Sequence, residues 1–488
     1  MGGQFQAAGP ARCAVPRTTY VEGVREAASW VADFLSPAYG PGGGFKLAAE
    51  EGALFSSGAS ALRESGLRSP ELSPYVGLAT AVQGQVGDHA TGATLLAARL
   101  VLAGLRLEEN GVGRASTMDG LRLARRQALA LLGSLERPDS IGVALATVGR
   151  TSAWASIAWN NLPVLAADGV VRLDDVDIIA SPAASTASWL PGLVVALESP
   201  RRAGTVRVAI LDQPLRTKPR SDLMLHVRDP TVLTPFHEAE ERRLRQQAKR
   251  LEDLGVGLVA APGIIPEPIQ SHLAALGIQT VANVPLSALR RIARCTGAEA
   301  APTLDAIVSG QLGEATIRRD GKRWLLFGRG PTATFEIPAA TAAHVADAND
   351  QAERLVRAAG RHSTNPRSLP GGGRWQREVA SALRRSADAA PGRSPLVLRA
   401  VADAFASLVD DLVRNLGRDP WRESLHPNAE ATFDVAAAVR VAVEGAFEAA
   451  TQILRVDARH ARRSSSTVGL RGAGQPTKIR SGDVPPLM

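Results

Sequence analysis

Apolar positions change their period along this chain, and the changes divide it. In "YVEGVREAASWVADFLSPAYG" Val21, Val24, Ala28, Val31 and Leu35 recur at near-helical spacing. That pattern stops at Pro37 and "YGPGGGFK", a turn through which no helix continues. Residues 93–109 and 116–135 predict two further apolar helices joined by "ENGVGRAST". Asn110 and Gly111 suit one helix end, and Ser116 or Thr117 suits the next start. From about 165 to 340 the chain turns to short β-rich runs: "VVRLDDVDIIA", "LVVALES", "VRVAILD", "VGLVAAPG" and "QTVANV". Turns and helices separate them, so this region reads as α/β with strands buried in a sheet. After "SLPGGGRWQ" helical spacing returns and holds to about 460. Helical first and last parts thus bracket an α/β insert, either as separate helical domains or as one domain split by an insertion. No repeat at solenoid periods is visible.

A length of 488 residues exceeds one ordinary core and predicts two to four domains. With 45% hydrophobic and 21% charged residues the chain is globular in composition. Residues 1–20 read as a flexible arm without an apolar signal core. The Ser/Gly/Pro-rich basic stretch 461–488 reads as a disordered tail. "LLAARLVLAGLRL" is interrupted by Arg99 and Arg106, which argues against a membrane span. A cytoplasmic location is the resulting expectation. The net charge of +8 raises nucleic acid as a partner, but the arginines alternate with acids in "HEAEERRLRQQAKRLEDLG", the pattern of a solvated, ion-paired helix. Aromatic residues make up only 4%, too few for stacking platforms, so no nucleic-acid partner is expected. The cysteines are Cys13 and Cys295, which predict neither a structural disulfide nor a cysteine metal site.

Candidate chemistry begins at "VGDHATGATLLAARL", residues 86–100. A Gly-Asp pair opening into a helix suits a phosphate-and-metal turn. It equally suits a plain helix cap, with Asp88 bonding its own backbone amides. No Walker "GxxxxGK[ST]" occurs, since "GPGGGFK" and "GAGQPTK" fail the pattern, and neither a Gly-x-Ser-x-Gly elbow nor His-Glu-x-x-His is present. These absences weaken an unrelated metabolic enzyme as the reading. His237 and His272 are lone helical histidines without metal spacing.

Several segments, in order, resemble the group II chaperonins, the thermosome and its eukaryotic cytosolic ring relatives. "VGDHATGATLLAARLVLAGLRLEENGVGRASTMDGLRLA" is similar to their phosphate-binding segment, Gly-Asp-Gly-Thr-Thr-Thr followed by two helices. "REAASWVADFLSPAYGPGGGFK" resembles the first nucleotide turn, "LPGGGRWQREVASAL" the Pro-Gly-Gly-Gly turn and "RNLGRDP" the Asn-x-Gly-x-Asp-Pro element. "LRQQAKRLEDLGVGLVAAPGIIPEPIQSHLAALGIQTVANVPLSALRRIARCTGA" resembles the apical domain, and "AFEAATQILRVDA" the last equatorial helix. The resemblance spans about residues 20–460. It implies a multidomain α and α/β fold with a split helical equatorial domain (21–135 and 362–460), a small hinge or intermediate domain (136–189 and 336–361) and an α/β apical substrate-binding domain (190–335). A helical protrusion near 228–250 would serve as a built-in lid.

The resemblance further implies a homo- or hetero-oligomeric ring, unfolded or non-native proteins as partners, and ATP with Mg²⁺ as cofactors. Its nucleotide contacts fall on Gly40, Pro41, Gly87, Asp88, Thr91, Gly372, Gly373 and Asp434, with Asp88 in the metal-ligand position. Departures are as specific as matches. Tyr39 stands for leucine, Gly42 for lysine, His89 for glycine, Ala90 and Gly92 for threonines. His89 reads as a steric substitution rather than a ligand. The two catalytic aspartate positions are occupied by Ser57, in "FSSGASAL", and Ala358, in "QAERLVRAAGR". Water positioning supplies much of phosphoryl-transfer catalysis, so binding of ATP is expected and family-like hydrolysis is not. Asp347 and Asp350 are the acids nearest Ala358 along the chain. An ATP-driven folding chamber and a ring scaffold or holdase without a motor, alone or beside active subunits, are the two competing functions.

Overall fold

The computed structural model describes residues 13–15, 17–47, 54–66, 69–150, 152–162, 173–182, 184–195, 203–215, 233–320, 323–420, 432–456 and 459–461. The tail after Ala461, the arm before Cys13 and the start of the expected protrusion lie outside them. Contacts separate two units. In one, Cys13–Val15, inside the span read as an arm, pairs antiparallel with Arg459–Ala461. The other runs Val24–Arg455.

The helical part of this larger unit contains Ser73–Val86, Ala90–Glu109, Arg114–Leu135, Arg374–Ala389, Ser394–Asn415 and Ala436–Arg455 packed together. Ala90–Glu109 is its central member, with Leu95, Leu96, Leu100 and Val101 at most 2% exposed. By length and composition alone this helix could cross a membrane, contrary to the sequence expectation. Its apolar surface is instead covered by the neighbouring helices, which is why it is apolar nearly all round. The next helix starts at Arg114 with Gly113 as N-cap, not at Ser116 or Thr117; the Thr117 hydroxyl donates back to the Gly113 carbonyl at 3.4 Å. Asn110 does close the preceding helix.

A seven-stranded mixed sheet forms the α/β part, in the order Gln279–Val281, Val256–Ala260, Gly204–Leu211, Gly313–Asp320, Arg323–Gly328, Leu193–Val195, with Ala300–Ala301 added beside Gly204–Leu211. Period-2 alternation splits its side chains between two cores. Val208, Ile210 and Leu258 meet Leu289, Ile292 and the buried free thiol of Cys295 on one face. Ala209, Leu211 and Val259 meet Leu244, Ala248 and Leu251 of helix Leu233–Asp253 on the other. The outer side of that helix carries the ion pairs read from sequence, among them Glu240–Arg243 at 2.7 Å and Glu241–Arg245 at 3.1 Å.

Two small sheets connect these parts. Ala333–Pro338 lies between Val176–Ser181, parallel, and Ser188–Pro191, antiparallel, and the long helix Ala342–Thr364 packs on that sheet. Arg367–Pro370 lies between Arg137–Pro138 and Phe433–Val435, which sets Leu369 opposite Asp434. This pairing brings a late strand beside a glycine turn some sixty residues earlier in the chain.

Candidate functional site

Three glycine turns and one strand enclose a cavity of about 520 Å³. The first turn, at Tyr39, Gly40 and Pro41, is anchored from behind. The Asn415 amide donates to the carbonyls of Ser36 at 2.7 Å and Tyr39 at 2.8 Å. Asp411 accepts from the Ser36 hydroxyl at 2.9 Å and pairs with Arg99, which also donates to the Ser36 hydroxyl at 3.1 Å. One buried carboxylate thereby joins the turn to two core helices. Gly42 is closely packed: a Cβ there would lie 2.4 Å from the Asn415 carbonyl oxygen.

The second turn begins at Gly87, where φ is +71° and a Cβ would lie 2.2 Å from the Arg354 carbonyl oxygen. Only glycine meets both conditions. His89 follows with φ of +60°, a left-handed conformation that costs a non-glycine residue roughly 1–2 kcal/mol. It is the N-cap of helix Ala90–Glu109, and no side chain caps that helix. The plain-cap alternative for Asp88 is therefore set aside. Among the described residues the Asp88 carboxylate makes no hydrogen bond; it lies 3.6 Å from His89 Nε2, itself buried and without a hydrogen-bond partner. The His89 ring meets Trp375 edge-on, with centroids 6.3 Å apart. The Thr91 hydroxyl is engaged by the protein, accepting from the Ala59 N–H at 3.1 Å.

Tyr39 and Gly92 form one coupled change. A Cβ at position 92 would lie 2.9 Å from Tyr39 Cε2, so the tyrosine ring occupies the space a threonine would need. The Tyr39 hydroxyl accepts from Gln376 Nε2 at 3.2 Å, and burial pushes its phenol well above the usual range. It stays neutral.

Gly371–Gly373 forms the third turn, with φ of +64° at Gly372 and +83° at Gly373, and opens helix Arg374–Ala389. Beside it Asp434 accepts from Trp375 Nε1 at 2.8 Å. Burial pushes the Asp434 carboxyl above the usual carboxylate range. The neighbouring His89 opposes that shift, Asp88 adds to it, and Trp375 and Arg374 oppose it.

Gly40, Pro41, Gly87, Asp88, Thr91, Gly372, Gly373, Asp434 and Ser57 all line this one cavity. Ala358 does not. It is 0% exposed on helix Ala342–Thr364, packed behind Gly87. The Ser57 hydroxyl is the N-cap of helix Gly58–Glu64, accepting from Ser60 N–H at 3.4 Å. Neither neighbouring acid replaces the missing pair. Asp347 accepts from Ser56 N–H and Gln351 Nε2, both at 2.6 Å. Asp350 accepts from Ser60 Oγ at 2.9 Å, Gln83 Nε2 at 2.7 Å and Arg354 Nε at 3.0 Å. Both carboxylates lie outside the cavity lining.

Sequence reasoning missed Arg354, Arg374, Arg418, Gln376 and Thr147, which also line the cavity. Arg354, Arg374, Gln376 and Arg418 sit inside quoted motifs and were within reach. Thr147, on the 3₁₀ segment Val143–Arg150, carried no signal. His272 contacts Glu241 at 3.1 Å, and the His237 side chain lies outside the described residues.

The lining suits a phosphorylated ligand. Two helix N-termini, three arginines and paired glycines face a volume within the range of small-molecule sites. No three His, Cys, Asp or Glu side chains converge among the described residues. Mg²⁺ is usually held by one or two carboxylates together with phosphate oxygens, so an unengaged Asp88 fits that cation's needs.

A sequence model described as the TCP-1/cpn60 chaperonin family matches residues 31–425. The chain is 26% identical over 442 residues to the thermosome subunit beta of Desulfurococcus mucosus, covering 83% of this chain and 88% of that protein. It is 27% identical over 392 residues to the thermosome subunit alpha of Methanothermobacter thermautotrophicus, covering 75% and 72%. A crystal structure of a group III chaperonin in the open state superposes with a TM-score of 0.72 at 21% identity, covering 90% of this chain and 99% of that one.

Proposed function

This chain belongs to the TCP-1/cpn60 chaperonin family as a divergent, group II-like member, and from its cavity we propose a chaperonin subunit that binds ATP but does not turn it over at family-like rates. In this reading it works in the cytoplasm within a homo- or hetero-oligomeric ring and holds non-native protein. The helical segments 21–135 and 362–460 would be the equatorial domain carrying the cavity. Segments 136–189 and 336–361 would be the hinge, and 190–335 the substrate-binding part with its helical protrusion.

One observation carries the proposal. The turns that would hold a nucleotide converge on one cavity, while the two positions that would orient water hold a helix cap, Ser57, and a buried methyl, Ala358. Gly87, Gly372 and Gly373 would leave room for phosphate oxygens, and the N-termini of helices Ala90–Glu109 and Arg374–Ala389 would face them. Asp88 would hold the cation, which when bound neutralises phosphate charge. The apolar wall of Leu412, Val413 and Leu416 would take the nucleoside. With the carboxylates replaced and Asp347 and Asp350 engaged elsewhere, neither of the two water-orienting positions would present a carboxylate.

The test is ATP retention and steady-state turnover by the purified oligomer, with a Ser57→Asp/Ala358→Asp double variant beside it. Retention without turnover in the unmodified chain, and at least tenfold more turnover in the double variant, are expected. Steady turnover by the unmodified chain overturns the claim about hydrolysis. A second reading, a scaffold or holdase that ignores nucleotide, is favoured by the inward ring of His89 and the engaged Thr91 hydroxyl. Failure of both forms to retain nucleotide decides for it.

A further inference from the structure

Resting on the nucleotide reading of this cavity, we infer that Asp88 and His89 together form a mixed carboxylate–imidazole cation site. It selects Co²⁺ or Zn²⁺ over Mg²⁺.

Four observations converge on it. Both residues line the cavity. His89 is held at φ of +60°, so its ring is directed by a backbone conformation that a non-glycine residue seldom adopts. Its Nε2 is buried with no hydrogen-bond partner, although an unmatched buried ring nitrogen is costly. The Asp88 carboxylate beside it makes no hydrogen bond among the described residues, and the two atoms stand 3.6 Å apart. That spacing is too long for a hydrogen bond between them. It is right for two donors sharing one ion. With each donor about 2.1 Å from a cation, 3.6 Å corresponds to an angle of roughly 120°, near the open angles of four-coordinate sites. Adjacent ligands in the near-ideal octahedron that Mg²⁺ demands stand only about 3 Å apart. Donor chemistry points the same way, since carboxylate and water suit Mg²⁺ whereas imidazole suits later divalent ions. Two protein donors do not fill a coordination shell, so phosphate oxygens and water would complete it.

The test uses the assembled, full-length protein with ADP, and Mn²⁺, Co²⁺ and Mg²⁺ as probes. Pulsed electron paramagnetic resonance of bound Mn²⁺, in protein labelled with ¹⁵N-histidine, is expected to show a histidine nitrogen coupled to the metal. Calorimetry should show Co²⁺ preferred over Mg²⁺ by at least tenfold more in the unmodified chain than in His89→Gly. That variant suits the left-handed backbone and so should fold; His89→Asn, which also tolerates it, serves as a second. Both should lose the nitrogen coupling and keep ADP. ADP bound with no histidine coupling, or with equal metal preference in His89→Gly, overturns the inference and leaves the nucleotide reading standing. No ADP bound by any form, with any of the three ions, overturns both.

Discussion

Two sides of one cavity are built by different means. On the turn side, the close contacts fall on backbone carbonyls: Gly87 against the Arg354 carbonyl, Gly42 against the Asn415 carbonyl, and the Ser36 and Tyr39 carbonyls accepting from the Asn415 side-chain amide. On the water side, polar side chains make the contacts: Ser57 caps a helix by accepting from the Ser60 N–H, Asp347 accepts from the Ser56 N–H, and Asp350 accepts from the Ser60, Gln83 and Arg354 side chains. Contacts of the first kind tolerate few substitutions without moving the chain. Those of the second can be exchanged one polar partner at a time. A site of this construction keeps its shape long after its chemistry has been altered.

The sharpest way to break this contrast is Asp411→Ala. It leaves the Arg99 guanidinium, 15% exposed, without its carboxylate and frees the first turn. A loss of about 3–5 kcal/mol in denaturant unfolding is expected, together with loss of nucleotide retention. A loss under about 1 kcal/mol would show the turn side to be as replaceable as the other. Gly87→Ala comes next, at about 2–4 kcal/mol, because it combines a left-handed φ with a Cβ 2.2 Å from a carbonyl oxygen. Thermal unfolding measures it.

Gly92→Thr should cost about 1–3 kcal/mol alone, and a Tyr39→Leu/Gly92→Thr double variant should recover most of that. Additive losses in the double-mutant cycle would separate the two substitutions that the ring contact joins. His362, at 0% exposure behind Trp159 and 3.1 Å from Asp139, extends the comparison to the C-terminal end of helix Ala342–Thr364. Burial holds its imidazole below the usual range despite Asp139. The folded state then binds fewer protons than the unfolded one, so stability present above the ordinary histidine range is lost as pH falls through the depressed value. The melting midpoint should drop between pH 7 and 5.5, and His362→Gln should flatten that drop. Smallest is Ser57→Asp: aspartate is an equally good N-cap, so stability should stay within about 0.5 kcal/mol and turnover should not rise without the partner change at Ala358.

Periodicity carried the helical ends and the β-rich middle, because 3.6- and 2-residue patterns are local. Val208 to Leu211 alternate between two cores just as such a run should. Motif order placed Gly40, Asp88, Gly372 and Asp434, which the fold brings to one cavity. The supports were not legible. Asp411 meets Ser36 across 375 positions, and nothing near either residue announces it. Tyr39 and Gly92 read as two separate losses until their shared volume was visible. His89 reads as a surface or steric substitution, and a sequence shows neither its left-handed φ nor its unpartnered nitrogen. The start at Arg114 was misplaced because Ser116 and Thr117 are good caps by type, yet Gly113 takes that role.

The contact between Gly87 and Arg354 has a mechanical meaning. It seats the helix Ala342–Thr364 directly on the second turn, with no side chain between them to absorb displacement. A ligand that shifts this turn by even half an ångström must move the helix or be resisted by it. By reciprocity, whatever pins the helix must alter the ligand's affinity by the same factor. If the subunit binds nucleotide without turnover, as proposed, such a bearing would transmit occupancy rather than energy from bond cleavage, and ligand concentration would set its position.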